Sequence, residues 1–157
     1  MLPLLIDTFP LWIAVLSNLV AQVAKPFIYY YRTDKFDIHY TVTCGGFPSS
    51  HTSTVTSLAM AIGIVEGFDS SMFAISFIFG LIVIYDAINV RYYAGKNIEL
   101  TQQLVSDLSE MFQLPLDDPI YHEKMKAVLG HRFVEALGGF ILGILLTGLA
   151  ALLLGLF

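Results

Sequence analysis

The residues best equipped for chemistry lie in two short stretches far apart in the chain. The first is Gly45-Gly46-Phe47-Pro48-Ser49-Ser50-His51, and the second is His131-x3-Glu135. In the first, the glycines let the backbone bend and approach a ligand closely. Pro48 suits the first position of a helix running through Thr52, Thr56 and Met60. Ser49 and Ser50 then fall at that helix's N-terminus, where unsatisfied N–H groups and the helix dipole attract anions. His51 follows, a group able to exchange a proton near neutral pH. In the second stretch, His131 and Glu135 stand four residues apart at the start of a helix and share a face. The carboxylate can then accept the proton on one imidazole nitrogen and leave the other as nucleophile or base. An oxyanion site with a proton donor and a nucleophile beside it is what phosphoryl transfer requires. The plain alternatives are a serine-capped Gly-Pro turn and a helix-end His–Glu pair.

The elements that must position these residues are membrane helices. Hydrophobic residues make up 56% of the 157, and the mean hydropathy of +0.72 is too high for an ordinary soluble domain. The fold class expected is all-α: an integral membrane helical bundle of about four transmembrane helices, forming a single domain over residues 1–157. The first helix covers residues 11–24, closed by Lys25 and Pro26, with Asn18 and Gln22 on one face looking into the bundle. Residues 29–43, aromatic and charged, read as a re-entrant or interfacial loop. A short second helix, 52–65, carries a hydroxyl-rich face, and a third, 72–90, is apolar except for Asp86 and Asn89.

Residues 91–132 form a polar insertion. Within it Thr101, Leu104, Val105, Leu108, Met111 and Phe112 recur at helical spacing, giving an amphipathic helix between the third and fourth spans. Its other face carries Glu99, Gln102, Asp107 and Glu110, which anionic headgroups would repel, so it is expected to pack on the protein or on a second copy. Residues 114–122 read as a loop, and 133–157 as the uncharged-cored fourth span. The Gly139-x3-Gly143 spacing in that span permits a close helix–helix contact, a second route to a homo-oligomer.

Charge sets orientation and excludes some partners. All 8 Lys and Arg residues fall on the side of the first and third loops, leaving Asp7, Glu66 and Asp69 opposite. The positive-inside rule makes the basic side, with its chemistry, cytoplasmic. A net charge of −5 and the lack of a basic tract argue against nucleic acid. A cleaved signal peptide is not expected, because the N-terminal apolar run lacks a positive flank. No metal site or cofactor is expected either: His122-Glu123 lacks a second histidine four residues on, and Cys44 is the single cysteine. Asp86, near the end of an apolar helix, is a functional candidate by default and a partner for Lys25 or Arg91.

Four blocks in order carry a family resemblance: Asn18-x2-Ala21-Gln22-x2-Lys25, the Gly45–His51 stretch, Asp86-x3-Val90-Arg91-x2-Ala94-Gly95, and Leu129-Gly130-His131-x3-Glu135. Together with Arg32 they resemble the type 2 phosphatidic acid phosphatase superfamily, which includes bacterial acid phosphatases and vanadium haloperoxidases. The match is to its small divergent branch. The resemblance implies that His131 is the nucleophile, that Glu135 orients it in place of the usual Asp, and that His51 protonates the leaving oxygen. It implies Lys25, Arg32, Arg91, Ser49 and Ser50 as phosphate ligands; Gly46, Asn18, Gln22 and Asp86 are candidate supporting residues, Asp86 having no part assigned to it by that scheme. The implied activity is a metal-independent phosphatase acting on a membrane lipid or lipid-linked phosphate or pyrophosphate through a phosphohistidine. A non-catalytic headgroup-binding, transport or scaffolding protein would use the same anion pocket. The run Asp86-x2-Asn89-x2-Tyr92 faintly resembles the acidic motif of metal-dependent phosphatidyl-alcohol transferases, whose further aspartates are missing here.

Overall fold

The computed structural model describes residues 6–42, 45–112 and 132–156. Its described residues form an all-α bundle of α1 (Phe9–Thr33), α2 (Ser50–Glu66), α3 (Ser71–Tyr85), α4 (Arg91–Phe112) and α5 (Phe133–Leu154). A short 3-10 helix (Ile38–Val42) follows α1, and a π-helical turn (Asp86–Val90) joins α3 to α4. Three helices are long and apolar enough to cross a membrane: Phe9–Thr33, the continuous Ser71–Phe112, and Phe133–Leu154.

The remaining helix, α2, has 17 residues and reaches about 25 Å at ~1.5 Å per residue. It sits at the centre, packed against α1, α3 and α5. This placement accounts for its composition. Hydroxyls facing lipid would be unsatisfied, whereas Ser53, Thr54 and Ser57 find partners on neighbouring helices or their own backbone. Ser17 of α1 pairs hydroxyl to hydroxyl with Ser53. The Asn18 amide donates to Thr54 at 2.9 Å, and Thr54 donates to the Ser50 carbonyl at 2.7 Å. Ser57 donates to the Gly143 carbonyl at 3.2 Å. Asn18 therefore looks into the bundle, as its spacing predicts, and the Gln22 side-chain oxygen is buried as well.

Helices α2 and α5 run side by side with their N-termini together, and small residues set their separation. A methyl group at Gly139 would overlap the Ser49 carbonyl, and one at Gly143 would stand 2.8 Å from the Ser53 carbonyl. Thr147 and Ala151 continue that stripe at 0% exposure. At the far end Phe9, Ile13, Ala61 and Ala151 form an apolar cluster. The Gly139-x3-Gly143 face is thus used within the chain.

Four boundaries differ from the sequence expectation. Helix α1 does not stop at Lys25 and Pro26 but continues to Thr33. Pro26 removes one backbone hydrogen bond, yet it is fully buried against neighbouring helices, the setting in which membrane helices tolerate proline. The expected loop at 29–43 is accordingly helical over its first part. Pro48 lies before the helix rather than at its first position, because Ser49 takes the N-cap. The third span does not end at Val90, since the π turn carries it directly into the amphipathic α4. That 42-residue helix is about 63 Å long, twice the ~30 Å of a hydrocarbon core. The expected loop at 114–122 lies outside the described residues.

Replacing Gly139 by Ala is expected to destabilise the protein by about 1–3 kcal/mol, the usual cost of overpacking. Gly148→Ala, whose added methyl would meet only the flexible Met60 tip at 3.7 Å, serves as the control. Thermal unfolding in detergent should show a lowered midpoint for the first variant alone.

Candidate anion-binding site

The chain entering α2 is bent so that it lies against α1 and α5. Gly46 has φ +91°, a conformation that side chains resist, and its neighbour across the turn is the Lys25 stem. The Phe47–Pro48 peptide bond is cis. The Ser49 N–H donates to the Glu135 carbonyl at 2.9 Å, tying the turn to the first turn of α5. Ser49 Oγ caps α2 by accepting from the Thr52 N–H at 3.3 Å and the Thr52 hydroxyl at 3.1 Å.

Beside this turn lies a cavity of about 170 Å³ lined by Lys25, Ile28, Tyr29, Arg32, Tyr40, Gly46, Phe47 and Glu135. Its volume is several times the ~30 Å³ share of a liquid water. Lys25 is 2% exposed. Removing an ammonium from water is expensive unless anionic or polar groups surround it. Arg32 is exposed at its outer end and places its guanidinium 5.9 Å from the centre of the Phe47 ring, within reach of a cation–π attraction. Two of the lining side chains are phenols. Tyr29 and Tyr40 stack with ring centres 4.0 Å apart. Hydrogen bonding to Tyr29, reinforced by burial and by the neighbouring Tyr29 and Asp37 charges, pushes the Tyr40 phenol above the ordinary tyrosine range.

The structure brings together Lys25, Arg32, Gly46 and Glu135 around one cavity. Ser49 and Ser50 are both buried and do not line it, and the Ser49 hydroxyl is engaged in the helix cap. Glu135 lies in the first turn of α5, where its carboxylate accepts from the Arg132 N–H at 3.2 Å. Helix α5 runs from Phe133 with Arg132 at its N-cap, and Glu135 is in its first turn. His131 itself lies outside the described residues. His51 occupies the second position of α2 and is partly buried. Arg91 bonds Asp86 through Nε at 2.7 Å, one of the two pairings expected for that carboxylate, and is not among the cavity's lining residues. Among the described residues no group of three His, Cys, Asp or Glu side chains could hold a metal ion.

Ile28, Tyr29 and Tyr40 line the cavity without having been singled out by sequence, and Phe47 does so from the Gly45–His51 stretch, where it had no assigned role. The signal for two of them was present. Lys25, Ile28, Tyr29 and Arg32 follow the i, i+3, i+4, i+7 pattern of one helical face, but only if the helix is read through Pro26.

Fold and site together define a membrane-embedded helical bundle with a cationic pocket at one end. The family model described as the Divergent PAP2 family matches residues 6–146. The chain belongs to that family. It is also 36% identical over 148 residues to the "Uncharacterized membrane protein YuiD" of Bacillus subtilis (strain 168), covering 91% of this chain and 94% of the relative. No solved structure shows significant similarity to it.

Two measurements check this geometry. Lys25→Met should weaken binding of orthovanadate by about 10–100-fold, the worth of one charge-assisted hydrogen bond, while Lys35→Met on the exposed surface leaves it unchanged. For Tyr40 the folded pKa is raised. Its stabilising hydrogen bond is therefore fully present below the ordinary tyrosine pKa and lost as pH climbs through the folded value. An alkaline absorbance titration should show one tyrosine ionising late, and Tyr29→Phe should abolish that delay.

Proposed function

We propose that the protein is a membrane phosphatase that hydrolyses a lipid-linked phosphate or pyrophosphate through a phosphohistidine, without a metal ion. The observation that carries this reading is the buried Lys25 beside Arg32 and the Gly46 turn, a fixed positive site with room for a tetrahedral oxyanion. Phosphoryl transfer depends on positioning and charge neutralisation more than on elaborate covalent chemistry, and buried cations supply both. Membership of the Divergent PAP2 family supports the same reading.

In this mechanism the non-bridging phosphate oxygens rest against Lys25 and Arg32. An imidazole nitrogen of His131 attacks phosphorus, the bond to the leaving oxygen breaks, and His51 gives that oxygen its proton. Water then attacks the phosphohistidine, passing its proton to His51, and inorganic phosphate leaves. Ser49 and Ser50 hold the turn in place, and Glu135 and Asn18 position it from α5 and α1. Arg91 and Asp86 act as a pair at the neighbouring helix end, and Gln22 supports the Lys25 turn from within α1. By the distribution of Lys and Arg the site faces the cytoplasm. A binding, transport or scaffolding protein would keep the pocket and lack the turnover.

Phosphate release from a lipid phosphate should persist in EDTA, stop with vanadate and vanish in His131→Ala. Acid-labile, base-stable labelling of the protein by a ³²P substrate should be lost in the same variant. Headgroup binding without any release across a broad lipid panel would favour the non-catalytic reading instead.

A further inference from the structure

Helix α4 is the element that the bundle leaves without a neighbour. Ser71–Val90 alone covers about 30 Å, the thickness of a hydrocarbon core, and α4 continues it without a break. Its 22 residues reach about 33 Å further. Among the described residues α4 packs against its own π turn and forms no comparable interface with α1, α2 or α5. Yet Leu104, Leu108, Met111 and Phe112 are exposed on it, and Ile98 and Val105 are only half-buried. The Gly139-x3-Gly143 face of α5, the other route to a dimer, is already filled by α2.

The spacing on α4 specifies the kind of partner. Ile98, Val105 and Phe112 recur every seven residues, with Ala94, Thr101 and Leu108 interleaved between them, which is the a and d pattern of a coiled-coil seam. A repeat of about 3.5 residues keeps such a seam facing one neighbouring helix along its whole length. In parallel coiled coils, Ile or Val at a with Leu at d favours two strands. Here Ile98 and Val105 stand at a and Leu108 at d. Two copies inserted the same way in one bilayer send α4 out on the same side, so parallel pairing is the arrangement open to them.

The charges agree with that arrangement. Lys96, Glu99, Asp107 and Glu110 fall at b, c and f, away from the seam. On that outer side Lys96 bonds Glu99 at 2.7 Å and Gln103 bonds Asp107 at 2.8 Å. The flanking e and g positions are Gly95, Asn97, Gln102, Leu104, Ser109 and Met111, so no like charges meet across the seam. A headgroup surface fits less well. Helix α4 runs on from a membrane-crossing helix, and its acidic residues are repelled by anionic lipid.

We propose that α4 pairs with α4 of a second copy as a parallel two-stranded coiled coil, and that this seam is the protein's homodimer interface. Ile98, Val105 and Leu108 then each meet the same residue of the partner. Anchoring in one membrane holds the two helices at high effective concentration, which lets a seam this short suffice.

The test uses the full chain in phosphatidylcholine liposomes, with enough lipid to make chance encounters rare. In a Cys44→Ser background, Val105→Cys and Leu108→Cys place single cysteines on the seam, and Gln103→Cys and Ser106→Cys place them off it. A disulfide needs Cα atoms within about 7 Å, so the seam variants should cross-link at least about tenfold faster on oxidation than the outer ones. Photobleaching steps of end-labelled protein should count two chains per particle. Val105→Asp with Leu108→Asp should weaken dimerisation about a hundredfold, as expected for losing two buried aliphatic side chains, whereas Ser106→Asp leaves it unchanged. If the double variant fails to reconstitute, the cross-linking ratio decides alone. Single chains at every dilution overturn the proposal, as does equal cross-linking at all four positions. A single chain whose Val105→Cys thiol is shielded from a water-soluble maleimide would assign the seam to the chain itself or to lipid and overturn it too. A dimer that survives the double Asp substitution places the interface elsewhere, with the same consequence.

Discussion

An ammonium held out of water at the end of a membrane bundle is the constraint on which the surrounding structure depends. Lys25 is 2% exposed, and desolvating an isolated ion costs several kcal/mol even after relaxation. Such a charge persists only where its surroundings are polar and shaped around it. The structure supplies a carboxylate at Glu135, two phenols at Tyr29 and Tyr40, and a glycine turn that brings the backbone to the lysine stem. Helix α1 must also run unbroken past Pro26, because Arg32 and the tyrosine wall hang from the turns beyond it.

The second requirement is that the turn before α2 stays where it is. It is pinned from three sides: the Ser49 N–H on the Glu135 carbonyl, the Ser49 hydroxyl on Thr52, and the Asn18–Thr54–Ser50 chain from α1. These bonds are worth having in a membrane because water is not there to replace them. The close approach of α5 at Gly139 and Gly143 serves the same end. It lets the start of α5 reach the turn, so that Glu135 enters the cavity wall. Helix α2 is short and hydroxyl-rich because its role is to be enclosed by the three longer helices and to present its N-terminus at their edge.

Much of this was legible in the sequence. Hydropathy gave the all-α membrane class, and the blocks that carry the family resemblance include Lys25, Gly46 and Glu135, which line one cavity. What stayed hidden has physical causes. Proline was read as a helix stop, but in a membrane bundle packing replaces the lost bond, so Tyr29 and Arg32 were assigned to a loop. Asp86 has both Lys25 and Arg91 as candidate partners by composition. Only the π turn, which brings Arg91 one turn from Asp86, decides between them. Tyr40 reaches the cavity from a short 3-10 helix and Phe47 from the turn before α2, neither long enough to show a periodicity.

The claim most open to direct measurement is that Lys25 meets the phosphorus-bearing group. Solid-state NMR can recouple the ³¹P of bound inorganic phosphate to ¹⁵N-lysine in membrane-reconstituted protein. The account predicts a dephasing signal corresponding to a separation of about 4 Å, the range of a direct ion pair, that disappears in Lys25→Arg while the other lysines remain labelled. Bound phosphate giving no such coupling, or a coupling that survives the replacement, would contradict it.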